Sequence, residues 1–161
     1  LKTFKRLGKP NNVSKASGAA ERSASFVMCE HGYTTMVDHC KEVKPLEGCG
    51  LLFGKGEVIT TVIPMVNENH SPVSFSIRSE ALEAVMKERM VRGEQWLGVF
   101  HSHPTAPAIP SETDRLMMDD ESLCYIIVSL ALRQPDVRGY VTEGSQLVPA
   151  RITLQPKESL S

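Results

Sequence analysis

The sequence predicts a single α/β (α+β) domain, a mixed β-sheet flanked by helices. Three features carry that expectation. Segments 33–43 and 79–92 repeat apolar residues at three- and four-residue intervals, the period of a helix with one buried face. Around them lie runs that alternate apolar and polar residues, as half-buried strands do. Residues 123–130 are continuously apolar, which marks a strand covered on both faces. The 161 residues suffice for one hydrophobic core. A 41% hydrophobic and 23% charged composition fits a globular domain. The net charge of −1 points to neither nucleic acid nor an anionic membrane as partner. No apolar run approaches the ~20 residues of a membrane span.

Taken in order, residues 1–27 form a basic segment, with Lys2, Lys5, Arg6, Lys9, Lys15 and Arg22 against a single acid, Glu21. Without an apolar h-region it is not a secretory signal. A disordered tail is expected there, with Met28 a candidate start. The domain is expected over 28–156, with a short tail at 157–161. In 33–43, Met36, Val37, Cys40 and Val43 share a helix face, and Pro45 ends the helix. Segments 51–54 and 57–66 read as a hairpin turning at Gly54-Lys55-Gly56. A polar loop follows at 67–72, then a short extended piece at 73–77. Ser79 reads as the N-cap of the second helix, whose Leu82, Val85, Met86 and Met90 form the stripe ended by Gly93.

Segment 96–103 is the central strand. Alternation puts Leu97, Val99, His101 and His103 on one face and Trp96, Gly98, Phe100 and Ser102 on the other. Gly50 and Gly98 read as sites of close packing. A short helix is expected at 113–119, and alternating strands at 137–141 and 146–154 turn at Glu143-Gly144-Ser145. The four cysteines make no C-x-x-C pair and read as buried thiols of a reducing, cytoplasmic compartment. Cys49 reads as a packing residue. His31 and His39 read as surface residues, and His70 as a loop histidine.

The chemistry gathers at the end of the central strand. His101 and His103, two residues apart, project from one face, and Asp114 can fold back to them. Two imidazoles and a carboxylate, with a fourth position left to water, form the ligand set of a catalytic zinc. Ser111 and Asp114 have an equally good second reading as the capping box of the following helix, and the two demands on Asp114 compete.

The string His101-Ser102-His103-Pro104, residues 105–110, Ser111, two residues, Asp114 resembles the metal-binding signature of the JAMM (MPN+) metalloprotease family. Glu47, in Leu46-Glu47-Gly48-Cys49-Gly50, stands where that family has its catalytic glutamate. The resemblance covers residues 33–154 and is closest to small stand-alone prokaryotic members. It implies a JAMM/MPN fold with a cytidine-deaminase-like layout and one Zn2+ per chain on His101, His103 and Asp114. Glu47 would then be the proton-transfer catalyst and Ser111 the donor to the developing oxyanion. The substrate it implies is a peptide or isopeptide bond after the C-terminal Gly-Gly tail of a ubiquitin-like or sulfur-carrier protein, the tail adding along an open sheet edge. No nucleic-acid or membrane partner is expected, and a homodimer stays open. A general zinc peptidase and a non-catalytic MPN-type scaffold are the rival readings. A zinc nucleoside deaminase would need H-x-E and P-C-x-x-C, which the chain lacks.

Overall fold

The computed structural model describes residues 24–156. The elements run β1 (Ser25–Cys29), α1 (Glu30–Val43), β2 (Cys49–Lys55), β3 (Val58–Met65), α2 (Ser79–Val91), β4 (Gln95–His103), α3 (Glu112–Met117), β5 (Cys124–Ser129), β6 (Asp136–Glu143) and β7 (Gln146–Gln155). The single mixed sheet expected from the sequence is present, and it closes on itself in the order β1-β3-β2-β4-β5-β6-β7. β1 closes the ring by pairing in parallel with both β3 and β7. β4 lies between β2, antiparallel, and β5, parallel. This closure corrects one expectation: β4, which ends at the site, and β2, which begins there, are paired on both sides and leave no open edge there for a substrate strand. Among the described residues no helix is long and apolar enough to cross a membrane.

β1 begins at Ser25, so residues 25–27 join the sheet instead of the expected tail. The rest of that tail, 1–23, and residues 157–161 lie outside the described residues. α1 starts three residues ahead of the expected segment 33–43. The Cys29 side chain supplies its cap, accepting from the Gly32 N–H at 3.3 Å. At α2 the cap position is Arg78, not Ser79, and no side chain bonds there. Helical bonding begins one residue early, with the Leu82 N–H donating to the Arg78 carbonyl. Residues 73–77 form no strand. Phe75 and Ile77 turn inward while Val73 is 73% exposed.

The sheet carries a cluster on each face. One joins Met36, Val37 and Cys40 of α1 to Leu52, Phe100 and Ile126. The other joins Leu51, Val99 and Ile127 to Phe75 and Ile77 and, at its margin, to Leu82, Val85 and Met86 of α2. The continuous apolar run of β5 is explained by this double coverage. A bulge corrects the expected faces of β4. Leu52 pairs with Gly98 but Phe53 with Trp96, so Leu97 is an extra residue. Side chains before it change faces: Leu97 joins Phe100, and Trp96 joins Val99. From Gly98 onward the alternation holds, which keeps His101 and His103 together. Gly98 and Gly50 are where backbones come closest. A Cβ on Gly98 would stand 2.1 Å from the Cys124 carbonyl oxygen, and one on Gly50 2.3 Å from the Phe100 ring.

Candidate metal centre

β4 delivers both imidazoles at its last turn of pleat, buried, with Nε2 atoms 3.2 Å apart. The Nδ1 of His103 lies 2.7 Å from the Pro107 carbonyl. A carbonyl only accepts, so Nδ1 carries a proton, and Nε2 is the nitrogen turned toward Asp114 and His101. Asp114 completes the group, with Oδ1 3.1 Å from His101 Nε2 and Oδ2 2.9 Å from His103 Nε2. Burial alone would raise the Asp114 pKa, but the hydrogen bonds from both imidazoles outweigh it and hold the carboxyl well below the usual range. In return, burial pulls His103 down while Asp114 and the Pro107 carbonyl push it up further, leaving it raised.

The expected competition for Asp114 does not arise. α3 opens on a complete capping box: the Asp114 N–H donates to Ser111 Oγ at 3.1 Å, and the Ser111 N–H donates to Asp114 Oδ2 at 3.0 Å. A carboxylate has two oxygens and about four acceptor sites, enough for the cap and both imidazoles. The cap therefore orients the carboxylate toward the histidines.

Glu47 also reaches this group. It sits just before β2, 3% exposed, with a carboxylate oxygen within 4.8 Å of the imidazole nitrogens. Two carboxylates thus stand near the histidine pair, and distance separates them. Donors about 2.0–2.1 Å from a tetrahedral cation stand roughly 3.3 Å apart, close to the spacing of the His101, His103 and Asp114 atoms. Glu47 lies farther out, and its Oε2 is buried without a hydrogen-bond partner among the described residues. Burial first, then the Asp114 charge, pushes the Glu47 carboxyl up to about 8, only partly offset by His103. A cation fits here: two imidazole nitrogens and a carboxylate converge within 3.2 Å of one another, and a cation would replace the protons that join Nε2 to Asp114.

Several residues that hold the centre were not singled out by the sequence. Ser102, on the opposite face of β4, clamps Gly48 twice: its Oγ accepts from the Gly48 N–H at 2.7 Å, and its N–H donates to the Gly48 carbonyl at 2.9 Å. Phe75 stacks on the His101 ring, centroids 4.8 Å apart at 21°. Asn67 holds the Glu47 carbonyl at 3.0 Å. Residues 104–110 are pinned by Ser129 Oγ donating to the Ala106 carbonyl and Tyr140 OH donating to the Ala108 carbonyl. Ser102 lies inside the histidine string without a role assigned to it there, and the others carry no spacing signal, because the group each one holds is set by the fold. Ser111 itself is exposed at the rim, and its cap bond leaves the hydroxyl proton to another acceptor.

Cys49 is a packing residue, as read. Burial chiefly, with Cys40 and Glu47 adding, pushes its thiol up to about 12, so it stays protonated. His70, at a positive φ of 45°, lines a pocket of about 250 Å3 together with Glu47 and His39. A larger cleft of about 700 Å3 lies beyond Phe75, between residues 68–79 and α3, with Ile77, Leu116 and Met117 in its wall.

The strand order and the histidine–histidine–aspartate group with a nearby glutamate define a JAB/MPN-type domain. The chain belongs to the Prok-JAB family, the prokaryotic homologs of the JAB domain, whose profile matches residues 30–141. It is 28% identical over 114 residues to a Pyrococcus furiosus protein named desampylase, covering 71% of this chain and 81% of that one. It is 29% identical over 126 residues to the CysO-cysteine peptidase of Mycobacterium tuberculosis, covering 75% and 82%. A solution structure of a Desulfitobacterium hafniense protein superposes with a TM-score of 0.75 at 30% identity, over 83% of this chain and 95% of that one. A structure described as JAMM, a metalloprotease-like zinc site in the proteasome and signalosome, shares the fold at a TM-score of 0.53 and 19% identity, over 81% and 99%. By family and by these relatives the chain is a hydrolase of the JAMM metalloprotease type.

Proposed function

We propose that the chain is a zinc-dependent peptidase that cleaves the peptide or isopeptide bond after the C-terminal Gly-Gly tail of a ubiquitin-like or sulfur-carrier protein. The names of two relatives, desampylase and CysO-cysteine peptidase, support that substrate class. In this reading His101, His103 and Asp114 hold one Zn2+ and Glu47 and Ser111 are the catalytic residues. When bound, zinc supplies Lewis acidity, lowering the pKa of water to about 7 and polarising a carbonyl. Glu47 takes the proton of the attacking water and passes it to the leaving amine. Burial pushes that carboxyl up to about 8 without the metal, and a cation beside it would favour the ionised, proton-accepting form. Ser111 donates its hydroxyl proton to the oxyanion that develops on the scissile carbonyl. With the sheet closed, the tail is proposed to lie in the cleft beyond Phe75 instead of along a strand edge. Four free cysteines, three of them buried, support a reducing, cytoplasmic setting.

The observation that carries this reading is the orphaned Oε2 of Glu47, buried beside two imidazoles and an ionised aspartate. The test offers the purified protein a Gly-Gly-tailed carrier bearing a C-terminal cysteine, and the same tail linked to a lysine side chain. Cleavage should need zinc and vanish in Glu47→Gln with zinc still bound. Wild-type rates in Glu47→Gln would sink the mechanism. A zinc-replete protein that cleaves short free peptides but neither tailed substrate would leave the general peptidase.

A further inference from the structure

Nothing at Glu47 Oε2 fixes where the carboxylate points, since that atom has no hydrogen-bond partner among the described residues. Its placement must come from the main chain. Residues 44–48 link α1 to β2 outside regular structure, so no ladder holds them. On the C-terminal side Ser102 clamps Gly48. At Glu47 itself the N–H donates to the Ser71 carbonyl at 2.9 Å, and the carbonyl accepts from Asn67 Nδ2 at 3.0 Å.

Asn67 is 8% exposed and spends its whole amide here. The same Nδ2 donates to the Ser74 carbonyl at 2.9 Å, with a longer contact to the Ser71 carbonyl at 3.4 Å. Its Oδ1 accepts from the N–H groups of Asn69 at 3.0 Å and Ser76 at 3.3 Å. A primary amide offers two donors and two lone pairs, and all are engaged. Asp keeps the shape and the acceptors but loses both donors. The residues so gathered, 67–76, carry Phe75, whose ring lies against His101. One side chain therefore ties the backbone of Glu47 to the loop that packs on an imidazole.

We infer that Asn67 is a positioning residue for the hydrolysis: by joining the Glu47 carbonyl to the loop that carries Phe75, it sets the separation between the Glu47 carboxylate and the histidine pair. This rests on the reading of Glu47 as the proton-transfer residue. Asn67 itself is not in the wall of the cleft beyond Phe75, although its amide holds the backbone of Asn69, Ser74 and Ser76, which are, so its loss should lower kcat by much more than it raises KM.

The test is Asn67→Asp in the zinc-loaded protein, with Ser71→Ala as control. The Ser71 hydroxyl accepts from the Val73 N–H at 3.1 Å in the same loop, lies outside the wall of the cleft, and its loss leaves the main-chain bond to Glu47 in place. A misplacement near 1 Å costs about 10²-fold, so kcat should fall about 10²-fold in Asn67→Asp. KM should change by much less than kcat, zinc content should be unchanged, and Ser71→Ala should stay within about threefold in both constants. A second readout needs neither zinc nor turnover: amide exchange of the Glu47 N–H in zinc-free protein should speed up about tenfold or more in Asn67→Asp and little in Ser71→Ala. Should Asn67→Asp not fold, Asn67→Ala carries the same expectations, since the shortened side chain no longer joins the Glu47 and Ser74 carbonyls. Wild-type kcat in the Asn67 variant, a loss taken wholly in KM, or an equal loss in Ser71→Ala would each overturn the inference. Glu47→Gln separates the two levels. If it is inactive while Asn67→Asp is fully active, only the positioning role fails; if it is active, the reading of Glu47 fails first.

Discussion

A carboxyl pushed up to about 8 from its ordinary 4.5 burdens the fold that contains it, and the size of that burden can be worked out. Burial is the main cause, the Asp114 charge the second, with His103 offsetting part. Between pH 4.5 and about 8 folded Glu47 holds a proton that the unfolded chain has released. The unfolded state therefore binds fewer protons, and stability falls as pH rises through that window. Below it the penalty is absent; above it the penalty is complete. At 1.36 kcal/mol per pH step the ceiling is about 5 kcal/mol. Water entry and side-chain adjustment around an ionised carboxylate relieve part of this, so about 2–4 kcal/mol is expected.

Glu47→Gln keeps the shape and removes the titration. Urea unfolding of zinc-free wild type and variant at about pH 5 and about pH 8.5 reads Glu47 together with its coupling to His103 and Asp114, because the distant surface groups are the same in both proteins and cancel in the difference. Wild type should lose about 2–4 kcal/mol more than the variant over that step. Adding zinc should shrink the difference, since a nearby cation favours the carboxylate. Parallel pH dependence in the two zinc-free proteins would refute the claim that burial holds Glu47 protonated near neutrality.

Asp114→Asn keeps an acceptor for the Ser111 N–H but loses the charge between the imidazoles; zinc affinity measured by equilibrium dialysis should fall beyond the ~10–100-fold typical of outer-sphere partners. Ser111→Ala separates two roles: loss of the cap should cost about 1 kcal/mol in urea unfolding, and loss of an oxyanion donor about 10²–10³-fold in kcat. A kcat change under about fivefold would leave the cap alone. Gly98→Ala should destabilise by about 3 kcal/mol or more or prevent folding, because the new methyl meets the Cys124 backbone across β4 and β5; a urea midpoint near wild type would contradict that contact.

How far the sequence could be read depended on whether the cause was local. The histidine pair was legible because strand alternation needs only adjacent residues, and it held from Gly98 on. It misled for Trp96 and Leu97 because the bulge is set by the pairing with Leu52 and Phe53, more than forty residues upstream. β1 was hidden for the same reason: a five-residue strand that pairs only with distant, parallel partners leaves no hairpin signal. Ring closure follows from those pairings and was hidden with them. Asn67 sits in Asn67-Glu68-Asn69-His70-Ser71-Pro72, a run whose composition says only turn. Glu47 was found by the resemblance of its surroundings, since a lone loop carboxylate carries no period of its own.

The capping box and the ligand set first looked like rivals for Asp114, yet the geometry makes one the condition of the other. α3 has six residues, too few to be stable alone, so its position must be imposed from outside. Residues 105–110 impose it. The carbonyls of Ala106, Pro107 and Ala108 are taken in turn by Ser129 Oγ at 2.7 Å, His103 Nδ1 at 2.7 Å and Tyr140 OH at 2.6 Å. Thr142 Oγ1 holds the far end at the Met118 carbonyl, at 2.7 Å. A backbone held at three neighbouring carbonyls cannot shift the start of α3 along the sheet. The cap then has one remaining task, to turn the Asp114 carboxylate so that each oxygen meets one imidazole. The bond from His103 Nδ1 to the Pro107 carbonyl also makes Nε2 the nitrogen turned toward the cation site. The spacing from His103 to Ser111 is thus a mechanical requirement: those residues bridge the end of β4 to a helix start that must present its third residue to the residue where the strand stopped.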